Sequence, residues 1–176
     1  MEEQVVLVDD RDVQIGTYPK QQAHIDGLLH RALSVFIFNS TREVLLHQRA
    51  HTKYHSGGLW TNACCSHPRV GEAPLDAANR RLKEEMGISC PLTPAFTFIY
   101  KAQVGALIEH EFDHVFIGTY DGPVSPDPEE VAAYKWIGAI ELRQQMQKSP
   151  DLFTPWFHIA LPLVLKQLDS SGANLL

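Results

Sequence analysis

The chain has too few cysteines for a disulfide framework. It carries three, Cys64, Cys65 and Cys90, an odd number with two of them adjacent. Adjacent cysteines rarely bridge each other, so the thiols are read as reduced and the compartment as cytoplasmic. No apolar run approaches the roughly 18 residues that a membrane span requires. The start, Met1-Glu2-Glu3-Gln4, is acidic and reads as no secretory signal. Positive charge is not in excess: 15 Lys+Arg stand against 21 Asp+Glu, a formal net charge of −6. That balance argues against a general nucleic-acid binder. Internal repeats and low-complexity tracts are absent too. What remains is 176 residues, 44% hydrophobic and 20% charged, enough for one domain with a real core.

The charge is uneven along the chain. Ten basic residues lie between Lys20 and Lys101 against six acids, so that stretch is net +4 and the rest net −10. A basic middle segment suits a small anionic ligand, though it also suits a solvated face.

Gln4 to Val8 reads as a short strand, followed by an Asp9–Asp12 turn and a second run at Val13–Gly16. Ala32–Phe38 is a β-rich apolar run, and Glu43–Gln48 is its hairpin partner. His51–Gly58 is a polar loop, and a strand-like stretch runs from Gly58 to Cys65. The clearest helix spans Pro74–Met86, with Pro suiting its first turn and Gly87 a left-handed cap. Leu75, Ala78, Leu82 and Met86 form its apolar stripe, and Arg81, Glu84 and Glu85 lie off it. Phe96–Lys101 and Ile108–Tyr120 read as strands, and Gly122–Pro128 as a Pro-rich loop. Ala139–Lys148 and Trp156–Leu168 read as helices, the second kinked or started late by Pro162. The mixture predicts an α+β fold or a layered α/β sandwich.

Three constellations carry chemistry. The first is Glu72, then Arg80-Arg81-Leu82-Lys83-Glu84-Glu85-Met86-Gly87-Ile88. Carboxylates at 81 and 85 would lie one helical turn apart and could share a divalent metal. With Arg81 in place, one is exchanged for a guanidinium, which binds phosphate in a bidentate fork. The second gathers His24, His30 and His67 with Glu109 and Glu111, whose alternation in a strand aims both carboxylates at one face. Three imidazoles and two carboxylates suit Zn, Mn or Fe better than Mg. The other six histidines, His47, His51, His55, His110, His114 and His158, are read as surface or core residues. The third is Asn62-Ala63-Cys64-Cys65-Ser66-His67-Pro68. A thiol beside a histidine and a metal can have its pKa lowered and move protons, or both cysteines can be small buried residues. In extended chain Cys65 and His67 share a face, and Cys64 points away.

The first constellation resembles the Nudix box, a loop–helix–loop motif matched at Glu72, Arg80, Leu82, Glu84, Glu85, Gly87 and Ile88. Ser66 stands where the box opens with Gly, and Arg81 where it has Glu. Over roughly residues 3 to 160 the chain resembles the type I isopentenyl-diphosphate isomerases of the Nudix superfamily. The resemblance rests on Trp60-Thr61-Asn62, Cys65-Ser66-His67-Pro68, Gly71-Glu72, Lys20 with His24 and His30, Arg49 with Lys53, Glu109-His110-Glu111 and Thr154-Pro155-Trp156. In that family Arg in place of the box Glu is itself expected. The resemblance implies a Nudix-like α/β/α sandwich with a mixed sheet, one domain over 1–176 with an N-terminal strand or hairpin extension of about 30 residues.

It also implies roles. Cys65 and Glu111 would be the acid–base pair on opposite sides of an allylic diphosphate, with Tyr100 beside Glu111. His24, His30, His67, Glu109 and Glu111 would hold Mn or Zn, and Glu85 would hold Mg together with the diphosphate. Lys20, Arg49, Lys53 and Arg81 would neutralise that diphosphate, and Trp156 would face a carbocation. The expected partner is a small-molecule diphosphate acting on a monomer, with neither nucleic acid nor membrane. Two other readings predict different residues: a Nudix hydrolase needs several box carboxylates, which Arg81 reduces, and a non-catalytic binding module has no need of five metal ligands.

Overall fold

The structure, a computed structural model, describes residues 3–53 and 55–170. The Met1-Glu2 start and the last six residues of the 1–176 span fall outside them. In chain order the elements are β1 (Gln4–Val8), β2 (Gln14–Pro19), α1 (Lys20–Asp26), β3 (His30–Phe38), β4 (Glu43–Arg49), β5 (Trp60–Thr61), β6 (Cys64–Ser66), α2 (Pro74–Met86), β7 (Leu92–Val104), β8 (Leu107–Thr119), β9 (Val131–Gly138), α3 (Ala139–Lys148) and α4 (Pro155–Ser170).

β3 is the middle of the molecule because both of its faces are buried. Leu33, Val35 and Ile37 pack with Ala77, Ala78, Leu82 and Met86 of α2. Phe36 and Phe38 point the other way, into a second core with Phe157, Ala160, Leu161 and Val164 of α4. A strand covered on both sides reads as one continuous apolar run rather than an alternation. Helices on both faces of a sheet make the α/β/α sandwich. The sheet is mixed. β3 runs parallel to β8, from His30↔Glu111 to Phe38↔Thr119, and antiparallel to β6, with Ser34 opposite Cys65. β4 pairs antiparallel with β9, and β1 joins β2 in a hairpin at the edge of β3.

Helix α2 ends where the sequence predicts. Gly87 takes φ 68°, and a Cβ there would lie 2.7 Å from the Ser125 carbonyl oxygen, so only glycine fits. The β7–β8 hairpin turns at Gly105 with φ 60°, and its strands reach well beyond Phe96–Lys101.

Two elements go beyond the sequence reading, and two expectations are corrected. Lys20–Asp26 is helical, although the seven-residue segment has no side-chain cap and buries only Ala23 and His24. The 58–65 stretch is two short strands, because the Asn62 amide bonds to the Val35 and Cys64 carbonyls and breaks the run. Val131–Gly138 is a strand that the sequence reading passed over. Pro162 neither delays nor ends α4, which starts at Pro155 and carries Pro162 on its exposed side.

Candidate active site and metal centre

Seven elements, α1, β4, β6, α2, β7, β8 and α4, and the loops beside them deliver side chains to a single cleft. β8 supplies Glu109 and Glu111, two residues apart on the buried face, at 2% and 8% exposure. α1 supplies His24, the first residue of β3 is His30, and His67 follows β6. Their contacts are close. His67 Nε2 is 3.0 Å from Glu111 Oε1 and 3.2 Å from His30 Nε2. His30 Nε2 is 3.7 Å from the same Glu111 oxygen, and His24 Nε2 is 3.2 Å from Glu109 Oε2.

Backbone carbonyls set the histidine tautomers. His24 Nδ1 donates to the Lys20 carbonyl at 2.7 Å, and His30 Nδ1 to the Leu28 carbonyl at 2.8 Å. A carbonyl can only accept, so a neutral ring at either position turns the lone pair of Nε2 inward. One proton on His67 Nε2 cannot serve both His30 Nε2 and Glu111 Oε1. A divalent cation satisfies all three at once. Metal–ligand bonds of about 2.1 Å give ligand–ligand edges of about 3.0–3.4 Å, close to the spacings here. The ligand atoms of His24, His30, His67 and Glu111 lie within 4.8 Å of one another, and His24, His55 and Glu109 form a second, overlapping group. The residues present therefore fit a divalent metal held by mixed nitrogen and oxygen donors.

The electrostatics agree with that fit. Burial pushes the His67 pKa down to about 4, against the pull of Glu111, so the ring is neutral and able to ligate. Burial disfavours the Glu111 carboxylate, but the His30 and His67 rings against it outweigh that and hold its pKa well below the usual range. Tyr100 donates to the other Glu111 oxygen at 2.6 Å. Burial and that carboxylate hold the Tyr100 hydroxyl protonated, well above its ordinary pKa.

In the same cleft, Cys65 sits in a hydroxyl–amide network. Its thiol donates to Asn62 Oδ1 at 3.0 Å, and Trp156 Nε1–H donates to its sulfur at 3.1 Å. Thr61 Oγ1 accepts from Trp156 Nε1 at 2.9 Å and donates to Asn62 Oδ1 at 3.0 Å. Cys65 and His67 both line the cleft. Cys64 is fully buried against α2.

Of the two readings of Cys65 that the sequence leaves open, the surroundings favour a buried, protonated thiol. Burial, followed by the buried Asp113 nearby, pushes this thiol up to about 12. At rest it is a neutral thiol, not a thiolate. At pH 8 only about 10⁻⁴ of it is thiolate, so iodoacetamide should alkylate the half-buried Cys90 first and leave Cys64 and Cys65 slow. Peptide mass spectrometry over a time course reads this, and fast labelling of Cys65 would contradict it.

The cations line the outer part of the same cleft. Arg81 contacts Glu84 at 2.9 Å, Glu85 at 2.6 Å and Glu130 at 3.4 Å, and Lys53 is ion-paired with Glu130. Lys20 contacts Glu3 at 3.1 Å. Arg49 is buried at 8% exposure and has no carboxylate partner among the described residues. Its guanidinium lies over the Trp156 ring, 5.4 Å from the centroid. Glu85 is buried, and burial raises its pKa against the opposing charge of Arg81.

Asn62, named beside the cysteines in the sequence, accepts the hydrogen bond of the Cys65 thiol. Sequence reasoning missed two participants. His55, read as a surface or core residue, faces the cleft with its Nε2 against Glu109. Glu130 anchors Lys53 and Arg81. Nothing in their spacing marks them, because each meets its partner through tertiary contact alone.

A mixed sheet between helices, with a loop–helix carrying Glu72, Glu84 and Glu85 at its edge, defines a Nudix-type protein. The sequence profile of the NUDIX domain matches residues 28–157. The DR0079 protein of Deinococcus radiodurans superposes with a TM-score of 0.70 at 16% identity, over 83% of this chain and 90% of that one. An isopentenyl-diphosphate Delta-isomerase of Burkholderia multivorans is 53% identical over 90% of each chain. Isopentenyl-diphosphate Delta-isomerase 2 of Aromatoleum aromaticum is 48% identical over 99% of this chain and 93% of its own. The chain belongs to the isopentenyl-diphosphate Delta-isomerase family of NUDIX-domain proteins.

Proposed function

We propose that the chain interconverts isopentenyl diphosphate and dimethylallyl diphosphate, with Cys65 and Glu111 as its proton-transfer pair. The observation that carries this reading is one cleft holding Cys65, Glu111 with Tyr100 bonded to it, and the buried Arg49 guanidinium, which has no carboxylate partner among the described residues. A buried charge in that state calls for an anionic ligand. Arg49, with Lys20, Lys53 and Arg81 beside it, suits a diphosphate.

The allylic shift needs one proton added at the terminal alkene carbon and one removed from the carbon next to the diphosphate-bearing methylene. The double bond moves by one position, and the substrate neither gains nor loses atoms overall. With the proton resting on sulfur and Glu111 ionised, the pair starts as S–H donor and carboxylate acceptor, and a turnover exchanges those states. Tyr100 donates its 2.6 Å hydrogen bond to Glu111 and holds the carboxylate in place. The tertiary cation between the two steps lies near Trp156, whose ring stabilises a cation by about 2 kcal/mol when desolvated.

The reading assigns Mn or Zn to His24, His30, His67, Glu109 and Glu111, which suits their nitrogen-rich donor set. It assigns Mg to Glu85 together with the diphosphate. Bound there, the metals supply charge neutralisation and fix the carboxylates in place. All of these groups come from one chain, so the site needs no residue of a second copy, and the reading keeps the expected monomer. Three free cysteines support a reducing, cytoplasmic setting. No helix among the described residues is long and apolar enough to cross a membrane.

The test is isopentenyl diphosphate in deuterium oxide, with and without chelator. Deuterium in the dimethylallyl product, no phosphate release and loss of turnover with chelator are expected. Phosphate release from a nucleoside diphosphate panel, with no isomerisation, would overturn the reading in favour of a hydrolase.

A further inference from the structure

His55 sits in the loop between β4 and β5 and touches both halves of the site. Arg49 Nη2 lies 3.2 Å from His55 Nδ1 and 3.4 Å from the His55 carbonyl oxygen. A guanidinium can only donate, so Nδ1 accepts. The ring proton of neutral His55 is therefore on Nε2, which faces Glu109 Oε1 and donates to it. Glu109 turns its other oxygen to His24 Nε2 at 3.2 Å. An imidazole engaged in this way keeps no lone pair on Nε2 for a metal. Its ring is nearly perpendicular to that of His24, at 76° with centroids 5.6 Å apart, and stands 6.2 Å from the Trp156 ring.

We propose that His55 is a positioning residue that joins Arg49 to Glu109, so that the phosphate-facing guanidinium and the metal-facing carboxylate are held by one hydrogen-bonded chain. It orients Glu109 from outside the ligand set and keeps Arg49 aimed into the cleft. This rests on the proposed metal and diphosphate sites.

The test compares the wild type with His55→Ala and His55→Gln. Zn²⁺ affinity is read by competition with a chromophoric chelator, the Co²⁺-substituted proteins give absorption spectra, and KM and kcat are read with isopentenyl diphosphate. His55→Ala should bind the same number of ions about 10–100-fold more weakly, as expected on loss of an outer partner of a ligand. Its KM should rise as Arg49 loosens. Glutamine offers an N–H to Glu109 and a carbonyl to Arg49, so His55→Gln should recover most of both losses. Its Co²⁺ spectrum should match the wild type. A wild type that binds Zn²⁺ while His55→Ala changes neither affinity nor KM overturns the proposal. A Co²⁺ spectrum altered in both variants makes His55 a ligand and also overturns it. A wild type that binds no ion overturns the metal-site reading, and this proposal with it. Thermal melting of each variant separates these outcomes from misfolding.

Discussion

Cys65→Ala is expected to lower kcat for isopentenyl diphosphate by about 10³-fold, roughly 4 kcal/mol of barrier, while the protein still folds. The size follows from the chemistry: an alkene carbon is a poor base, and the hydroxyls of Ser34 and Thr61 beside the thiol are far weaker acids. Cys64 cannot replace it, because that side chain is buried on the other face of the strand against α2. Folding survives because the network around the sulfur has a second centre. Asn62 Oδ1 and Trp156 Nε1 each keep a partner in Thr61 Oγ1 when the sulfur is gone. No buried donor or acceptor is stranded, which is the usual source of a large stability loss. Serine at 65 keeps the hydrogen bond to Asn62 but is a far weaker acid, so Cys65→Ser should stay near the alanine rate. Steady-state turnover by product chromatography, with a thermal melt beside it, measures both. Near-normal turnover in Cys65→Ala would remove the thiol from the mechanism.

That argument depends on a property invisible in the sequence. The alternation Cys64-Cys65-Ser66-His67 shows which thiol shares a face with the histidine. Whether the thiol is raised or lowered in pKa depends on what surrounds it. Burial and Asp113, which arrives from β8, decide it in favour of the neutral form. The same division runs through the fold. Helix α2 is legible because Pro74 and Gly87 mark its ends and its stripe is regular. β3 is legible because burial on both faces makes it uniformly apolar. α1 escapes notice because seven residues carry too little periodicity, and its shape is held by packing around His24. β9 escapes because its ladder with β4 pairs mixed side chains, Ala133 opposite Gln48 and Tyr134 opposite His47. Among the site residues, those in short motifs could be read in advance. His55 and Glu130 could not, since their partners Glu109 and Lys53 lie far away in the chain.

Glu111→Gln should have the other large effect, a fall in kcat of at least about 10³-fold, and for two separable reasons. The amide has the shape of the carboxylate, so Tyr100 and His67 keep a neighbour of the same size at 2.6 and 3.0 Å. What it loses is the charge that takes up a proton and the charge that meets the cation among His24, His30 and His67. Metal affinity should therefore fall as well, and turnover must be measured both at low metal and at saturation. If excess Zn²⁺ or Mn²⁺ restores the rate, Glu111 serves only to hold the ion, and the proton acceptor must be sought elsewhere. If the site fills and the rate stays low, the carboxylate is the acceptor. Tyr100→Phe supplies the scale for comparison. It removes one hydrogen bond to a charged group, about 1.5–3 kcal/mol, so its loss should stay near 10–100-fold and leave metal binding intact. A glutamine variant no worse than the phenylalanine variant would mean that the carboxylate acts only through its hydrogen bonds.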